Sequence, residues 1–234
     1  MIDDSALRGR LADVRARIAR AAGRAGRDPA AIRLVAISKT FPADHVRAAA
    51  GAGQLDFGEN KIQEALQKID ACADLQLRWH LVGHLQSNKV KKAVRFDMVH
   101  SMDSAELVRK LDDAAAAANR RLDALVQVDL AGEVTKHGAR EDELRPIFDA
   151  GASAAAIRIV GLMLLPPAVD DPEAARPYFR QLCAVRDRLV AAGVDPAMLQ
   201  ELSMGMSHDF EVAVEEGATM VRVGTAIFGG RTYR

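Results

Sequence analysis

The chain has 234 residues, of which 49% are hydrophobic and 27% charged, and its 32 basic and 32 acidic side chains give a formal net charge of zero. This length and composition fit one globular domain spanning residues 1–234, and a net charge of zero argues against bulk attraction to nucleic acid or a membrane surface. No signal-peptide pattern, no apolar run near the ~20 residues of a membrane span and no CxxC pair is present, so we expect a soluble, cytoplasmic protein with reduced thiols.

The amino-terminal segment is predicted to be an amphipathic helix over residues 5–22. Apolar residues recur there at helical spacing: Leu7, Leu11, Val14 and Ile18. We expect this helix, within residues 1–27, to pack on the rest of the domain. Its other face carries six arginines between Arg8 and Arg24, either as a solvated surface or as an arm for nucleic acid or a protein partner. The interspersed acidic residues and the lack of aromatic residues favour the solvated surface.

Strands and helices then alternate along the chain. Strand patterns are predicted at residues 33–38, 54–57, 79–83, 98–100, 124–129, 158–164, 199–204 and 219–223. Helices are predicted at 43–52, 61–71, 88–94, 105–118 (capped by Ser101 or Asp103), 141–150, 173–192, 207–216 and 226–228. Eight strand–helix units in this length predict an α/β protein with one closed (β/α)8 TIM barrel.

A lysine stands at the carboxyl end of the first predicted strand, in the stretch Val35-Ala36-Ile37-Ser38-Lys39-Thr40. The carboxyl ends of the strands form the active face of such a barrel. A partly desolvated lysine loses its proton more readily, and a neutral amine can form a Schiff base with a carbonyl compound or with pyridoxal phosphate. The alternative is a lysine that extends its ammonium group to solvent.

The loops after the seventh and eighth predicted strands have the composition of a phosphate site. Gly205 and Gly224 let the backbone approach closely, Ser207 is predicted to cap the helix that follows it, and Thr225 adds a hydroxyl group. The free amides of the capped helix would then face a phosphate. Ordinary loop glycines and an ordinary cap are the alternative. Together with Lys39, these loops predict a site for pyridoxal 5'-phosphate.

Other polar residues leave two interpretations each. Arg222 either meets the pyridine nitrogen of the cofactor or pairs with an acidic helix residue, and Asn60 either contacts a ring substituent or only caps a helix. No catalytic residue is predicted. No metal site is predicted either, because His80 and His84 have no acidic or cysteine partner at ligand spacing. His100 is expected to pack or to donate locally.

Several longer stretches resemble the pyridoxal phosphate homeostasis proteins, the YggS/PROSC family. They are VAISKT (35–40), FGENKIQE (57–64), WHLVGHLQSNK (79–89), HSMD (100–103), TKHG (135–138), GLM (161–163), LSMGMSHDFEVAVEEG (202–217) and TMVRVGTAIFGGR (219–231). The resemblance covers nearly the whole chain. It implies a single barrel similar to the amino-terminal domain of alanine racemases, with pyridoxal phosphate on the strand-one lysine, Lys39.

The resemblance also implies the other cofactor contacts. The arginine against the pyridine nitrogen would be Arg222, and the remaining contacts would be Asn60 beside the cofactor and Ser207, Gly224 and Thr225 at the phosphate. Two positions depart from the family pattern. Phe41 stands where a lysine is often found, which argues against a lysine-to-lysine relay through that position. Leu81 replaces the usual Phe or Met and is expected to be a core exchange.

The family implies a role in vitamin B6 homeostasis, in which pyridoxal phosphate is held and passed on to apo-enzymes without established turnover. The chain ends at Arg234, so we expect no second domain to supply a catalytic acid or base, and a monomer without the usual dimer interface. The alternatives are a racemase-like enzyme of low activity and a cofactor-free Schiff-base lyase or aldolase. The role of Lys136 at the same rim stays open.

Overall fold

The structure, a computed structural model, describes residues 4–132 and 137–230. Parallel strands close a barrel in chain order from β1 to β8. The strands are β1 Arg33–Ile37, β2 Asp56–Glu59, β3 Arg78–Leu81, β4 Met98–Met102, β5 Leu122–Val128, β6 Ile157–Leu164, β7 Glu201–Ser203 and β8 Met220–Val223. The α-helices are α1 Asp4–Arg24, α2 Ala43–Gly51, α3 Ile62–Ala71, α4 Val90–Ala93, α5 Ala105–Ala117, α6 Leu144–Ala152, α7 Arg176–Ala191, α8 Phe210–Glu215 and α9 Thr225–Phe228. The predicted (β/α)8 architecture is confirmed.

Helix α1 lies against α2, α8 and α9, and its predicted apolar face is buried. Its arginine face holds it to the barrel. Arg17 pairs with Glu211 at 2.8 Å, and Arg24 pairs with Glu215 at 2.7 Å. Arg10 donates a 2.7 Å hydrogen bond to the carbonyl of Ile227. Much of this face is therefore engaged within the chain.

The boundaries of several elements differ from the predicted ones. Strand β2 continues through Gly58 and Glu59, because Gly58 pairs with Ile37 of β1 and an added Cβ would lie 2.5 Å from the Cδ1 atom of Ile37. This glycine thus allows close packing inside the strand and does not end it. Strand β4 likewise includes Ser101, so neither Ser101 nor Asp103 caps α5. The cap is Ser104.

Turns of 3-10 helix shorten three other predicted elements. Glu141–Glu143 precedes α6, Pro172–Ala175 precedes α7, and Pro196–Leu199 delays the start of β7. Prolines stand at the first turn of the last two, where a missing amide donor is tolerated. Across the described residues, no helix combines the length and the apolar character that crossing a membrane requires. Cys72 and Cys183 are free thiols.

The alternation of side chains between the two faces of β1 determines which residues reach the carboxyl mouth of the barrel. On β1, Leu34 and Ala36 pack in the core between barrel and helices, whereas Val35 and Ile37 belong to a separate inner cluster. Because side chains alternate between the two faces of a strand, Lys39 continues the inward series at the carboxyl mouth.

The same step on β8 leads from Met220 in the inner core through Arg222 to Gly224. The first and last strands are neighbours in the closed barrel, with Val35 opposite Arg222. Closure therefore brings the lysine near the start of the chain to the arginine and glycine near its end.

Candidate functional site

A cavity of 270 Å³ opens at the carboxyl ends of the strands. Its lining includes every predicted cofactor contact: Lys39, Asn60, Ser207, Arg222, Gly224 and Thr225. The remaining lining residues are Ile37, Val82, Leu165, Met206 and His208. One amine, one guanidinium group and several small polar groups thus converge on a mostly apolar pocket, as in small-molecule sites.

The backbone around Lys39 is held by a polar cluster that the sequence reasoning missed. The next residue, Thr40, has a positive φ of 70°, which is costly for a β-branched residue. Its amide donates to Glu64 Oε1 at 2.5 Å. On the other side, Lys68 Nζ donates to the carbonyl of Ser38 at 2.7 Å. Residues on α3 therefore fix the turn that presents Lys39.

The same lysine bridges two carboxylates. Lys68 Nζ lies 2.7 Å from Glu59 Oε1 and 2.7 Å from Glu64 Oε1, and Ser38 Oγ donates to Glu59 over 2.6 Å. Burial raises the pKa of Glu59, against the opposing hydrogen bonds from Lys68 and Ser38. For Glu64, burial acts in the same direction but is outweighed by hydrogen bonds from Lys68 and Thr40, which lower its pKa. The spacing Glu64–Lys68 on one helix was the available sequence signal.

Arg222 is buried at 4% exposure, so the interpretation of an outward arginine is wrong. It donates to Ser203 Oγ at 2.6 Å and to the carbonyl of Leu164 at 2.7 Å, both neutral acceptors. Burial lowers its pKa to about 10, partly offset by Asp209. The guanidinium group therefore stays charged at neutral pH, and Arg222 is one of the residues that line the cavity.

The loops after β7 and β8 are joined through Ser207. Its Oγ accepts from the amides of Gly224 at 3.1 Å and Ala226 at 3.4 Å. The predicted cap is therefore wrong: α8 begins at Phe210 with Asp209 at its N-cap position. Ser207 was misassigned because a serine before an apolar run is also what a cap looks like.

Although Ser207 is not a helix cap, its contact with the loop after β8 still places small donors at the cavity. While accepting from two amides, the Ser207 hydroxyl group still has its own proton to donate toward the cavity. An added Cβ on Gly224 would lie 3.2 Å from the carbonyl oxygen of Ile37, so this position favours glycine. Thr225 begins the short helix α9 beside them.

Asn60 lies where the loops after β2 and β3 meet. An added Cβ on Gly83 would lie only 2.1 Å from the Asn60 carbonyl oxygen, so glycine is required for this approach. Asn60 borders the main cavity and also a smaller one of 150 Å³ that contains Lys61, His84 and Lys89. It does not cap α3, whose N-cap position is Lys61.

The loops after β3, β4 and β5 gather a second polar group. His84 Nδ1 lies 3.5 Å from Asp103 Oδ2, and the rings of His84 and His137 stack with centroids 3.6 Å apart. Ligand atoms of the three side chains lie within 4.8 Å of one another, so His84 has the acidic neighbour that sequence spacing did not reveal. An imidazole binds a metal in its own ring plane, and two rings 10° from parallel do not share one in-plane ion.

The positions that depart from the family pattern are apolar packing positions. Phe41 packs against His45 and Phe228, with centroids 5.1 Å and 5.2 Å away. Leu81 is fully buried in the core between barrel and helices, as expected of a core exchange. Lys136 lies outside the described residues.

The cavity fits the expected cofactor by the chemistry of its donors. Lys39 would supply an amine for an aldehyde, and Arg222 a charged donor for a ring nitrogen. The two loops that carry Ser207 and Thr225 would supply small donors for a phosphate. No acidic side chain lines this cavity among the residues that the structure describes. An anionic ligand is therefore favoured.

Comparison with known proteins agrees with this chemistry. The sequence profile of the alanine racemase N-terminal domain matches residues 10–232. A pyridoxal phosphate homeostasis protein of Aquifex aeolicus is 42% identical over 225 residues, which cover 96% of this chain and 98% of that protein. The protein of that name from Escherichia coli K12 is 41% identical over 230 residues, covering 95% and 96%.

Solved structures resemble the chain at two levels of sequence identity. PipY of Synechococcus elongatus, in a structure with PLP bound, is 38% identical with a TM-score of 0.84, covering 95% of this chain and all of that one. An alanine racemase of Clostridium difficile has a TM-score of 0.72 at 14% identity and covers 98% of this chain but 58% of its own. The second similarity shows a shared fold alone.

Proposed function

The chain belongs to the family of pyridoxal phosphate homeostasis proteins, built on the alanine racemase N-terminal domain, and we propose that it binds pyridoxal 5'-phosphate and acts in intracellular vitamin B6 homeostasis. The observation that carries the proposal is the carboxyl-end cavity, where a lysine, a buried arginine and two small polar loops converge. When bound, the cofactor supplies an aldehyde that reacts with primary amines.

Each residue of the cavity has a proposed part in binding. Lys39 holds the cofactor as a Schiff base, and Arg222 faces the pyridine nitrogen. The phosphate is held by small donors, with Asn60 beside the ring: Ser207, Gly224 and Thr225. The support is that one cavity contains them all and that the turn after Lys39 is held from α3.

We propose further that the protein is a carrier and not an enzyme. A charged arginine at the pyridine nitrogen leaves that nitrogen without a proton, which weakens the ring as an electron sink. Such a site suits retention and release of the cofactor better than carbanion chemistry. The proposed role is that of a cytoplasmic monomer that passes pyridoxal phosphate on to apo-enzymes.

A racemase-like enzyme of low activity is the second candidate, and His84 is the observation that favours it. Burial and then the neighbouring His137 lower the pKa of His84, against the effect of Asp103. A neutral imidazole at the rim is a suitable proton acceptor. Amino-acid turnover above that of the free cofactor, lost in both Lys39→Ala and His84→Gln, would establish this candidate and overturn the carrier.

The test of the main proposal is the visible absorption spectrum of the purified protein with pyridoxal phosphate, before and after borohydride. We expect a yellow band that bleaches and a reduced adduct that peptide mass spectrometry places on Lys39. A protein that stays colourless with added pyridoxal phosphate would overturn the proposal and favour a Schiff-base lyase or aldolase acting without this cofactor.

A further inference from the structure

Five buried polar side chains form one hydrogen-bonded chain through the barrel. His80 Nε2 lies 3.0 Å from Asp56 Oδ1, and His80 Nδ1 lies 3.0 Å from His100 Nε2. His100 Nδ1 lies 3.0 Å from Ser203 Oγ, to which Arg222 Nη1 donates at 2.6 Å. All five are at most 5% exposed. The chain links a 630 Å³ cavity at the amino-terminal end, lined by Asp56, with the cofactor cavity, lined by Arg222.

Hydrogen-bond chemistry allows one direction along this chain. The two ends set the direction together: Arg222 has donors only, so the Ser203 oxygen accepts from it, and the Asp56 carboxylate accepts only, so His80 donates from Nε2. With His80 Nδ1 accepting from His100 Nε2, the Ser203 proton goes to His100 Nδ1. Every member is satisfied when both histidines are neutral.

A second proton on His100 breaks the chain. A protonated His100 would donate from Nδ1 to a Ser203 oxygen that Arg222 already contacts, and the serine proton would lose its acceptor. Burial, followed by the neighbouring His80 and the charge of Arg222, holds the pKa of His100 well below its ordinary value. At the far end, burial of Asp56 is outweighed by hydrogen bonds from His80 and Arg78, which lower its pKa. The chain thus ends on a carboxylate.

We propose that Asp56, His80, His100 and Ser203 are positioning residues for Arg222. Together they orient the guanidinium group toward the cofactor cavity and link it by hydrogen bonds, through neutral imidazoles, to the distant Asp56 carboxylate. The inference rests on the proposed function, because the cofactor ring is what Arg222 is positioned for.

This arrangement has a chemical consequence. A carboxylate in direct contact with Arg222 would neutralise it, whereas this chain places the carboxylate at the opposite end of the barrel interior. Arg222 is held from behind by Ser203 Oγ and the Leu164 carbonyl. Its positive charge remains directed at the cavity.

The first experiment measures the imidazole tautomers in the full-length protein by ¹⁵N-histidine NMR, with and without pyridoxal phosphate. We expect both His80 and His100 to carry one proton, on Nε2, in either state. A proton on Nδ1 of either residue, or an imidazolium form at neutral pH, would overturn the proposal. The cofactor-free measurement does not depend on the proposed function.

The second experiment compares two substitutions at the far end of the chain. Asp56→Asn removes the terminal charge, and we expect pyridoxal phosphate affinity to fall about fivefold, with a shifted absorption maximum, because the terminal hydrogen bond loses its charge assistance. Arg78→Gln is the matched control. It removes the carboxylate's other partner, 2.6–2.8 Å away, and leaves the His80 contact, so we expect an unchanged spectrum. Equal effects, or no effect of either, would overturn the proposal.

A second pair tests the near end if Asp56→Asn fails to fold. Ser203→Ala removes one of the two acceptors of Arg222 and the donor to His100, whereas Ser203→Thr keeps the hydroxyl group. We expect weaker cofactor binding and a spectral shift in the first variant alone. Wild-type-like binding by Ser203→Ala would contradict the proposal. Failure of the wild-type protein to bind pyridoxal phosphate would instead overturn the proposed function.

Discussion

The two ends of the barrel each carry a cavity lined by arginine, but they differ in how the charge is satisfied. At the amino-terminal end, in the 630 Å³ cavity, Arg78 makes two hydrogen bonds with Asp56, and Arg33 lies 4.0 Å from Asp56 and 3.8 Å from Glu201. At the carboxyl end, in the 270 Å³ cavity, Arg222 contacts neutral oxygens. Of the three arginines at the larger cavity, Arg33 and Arg78 face carboxylates and Arg15 donates to backbone carbonyls. The smaller cavity has no acidic side chain among its described lining residues. Cavity size is therefore a poor guide to an anion site, and the presence or absence of lining carboxylates is a better one.

The largest expected effect comes from removing the amine at the carboxyl-end cavity. Lys39→Ala is expected to abolish the borohydride-reducible adduct completely, because Lys39 is the one lysine among the described residues that line the cavity. The measurement is peptide mass spectrometry after reduction. Lys61→Ala, at the neighbouring small cavity, is the matched control and should keep the adduct. An adduct of equal yield in Lys39→Ala would contradict the assignment.

The next largest effect concerns Lys68, a buried cation at the carboxyl end that pairs with the carboxylates of Glu59 and Glu64. Lys68→Met should lower the free energy of unfolding by about 3–5 kcal/mol, because it leaves the buried Glu59 carboxylate without its cation. Urea unfolding measures it. The control Lys110→Met removes an exposed pair with Glu106 and should change nothing measurable. A Lys68→Met protein as stable as the wild type would show that this cluster does not support the Lys39 turn.

Two glycines with positive φ, Gly205 in the loop after β7 and Gly26 in the turn after α1, separate the cost of backbone strain from the cost of a clash. Gly205, in the loop after β7, has a φ of 90°, and an added Cβ would lie 2.5 Å from Ala213 Cβ. Gly205→Ala is expected to cost about 3 kcal/mol, from the left-handed backbone and the clash together. Gly26→Ala has a φ of 65° and open space, so about 1 kcal/mol is expected. Thermal unfolding of both variants gives the difference, and equal losses would mean that the loop after β7 yields to the added atom.

The smallest effect is a contrast in pH dependence between two buried aspartates, one at each end. The pKa of Asp56 is lowered from 3.8, since hydrogen bonds from His80 and Arg78 outweigh burial. Its contribution to stability is therefore fully present above pH 3.8 and is lost as the pH falls through the folded-state value. Burial raises the pKa of Asp209 above 3.8. Its ionisation therefore costs stability as the pH rises through the interval between its unfolded and folded values.

Urea unfolding across acidic pH measures this contrast. Asp56→Asn should lose less stability than the wild type on acidification. Asp209→Asn should lose less than the wild type as the pH rises from 3.8 toward neutrality. If acidification changed the stability of both variants, relative to the wild type, in the same direction, the two ends would be electrostatically alike.

Much of this site was predictable because its residues follow local rules. Lys39 and Gly224 lie one inward step beyond the ends of β1 and β8, and strand periodicity is visible in a single sequence. The same rules failed where two explanations share one local pattern. Ser207 precedes an apolar run as a helix cap does, but its hydroxyl group accepts amides from the next loop. Gly58 looked like a strand end, but it is a point of close packing inside β2.

Periodicity and composition along the chain are enough to specify the barrel, its amino-terminal helix and the residues at its mouth, because each depends on neighbours a few positions away. Barrel closure decided which buried polar groups satisfy one another. His100 and Ser203 are 103 positions apart, and Glu59 meets Lys68 across a strand and a helix. Such contacts depend on strand register and on the low tolerance of the interior for unpaired polar groups, and neither is visible in a local stretch of sequence.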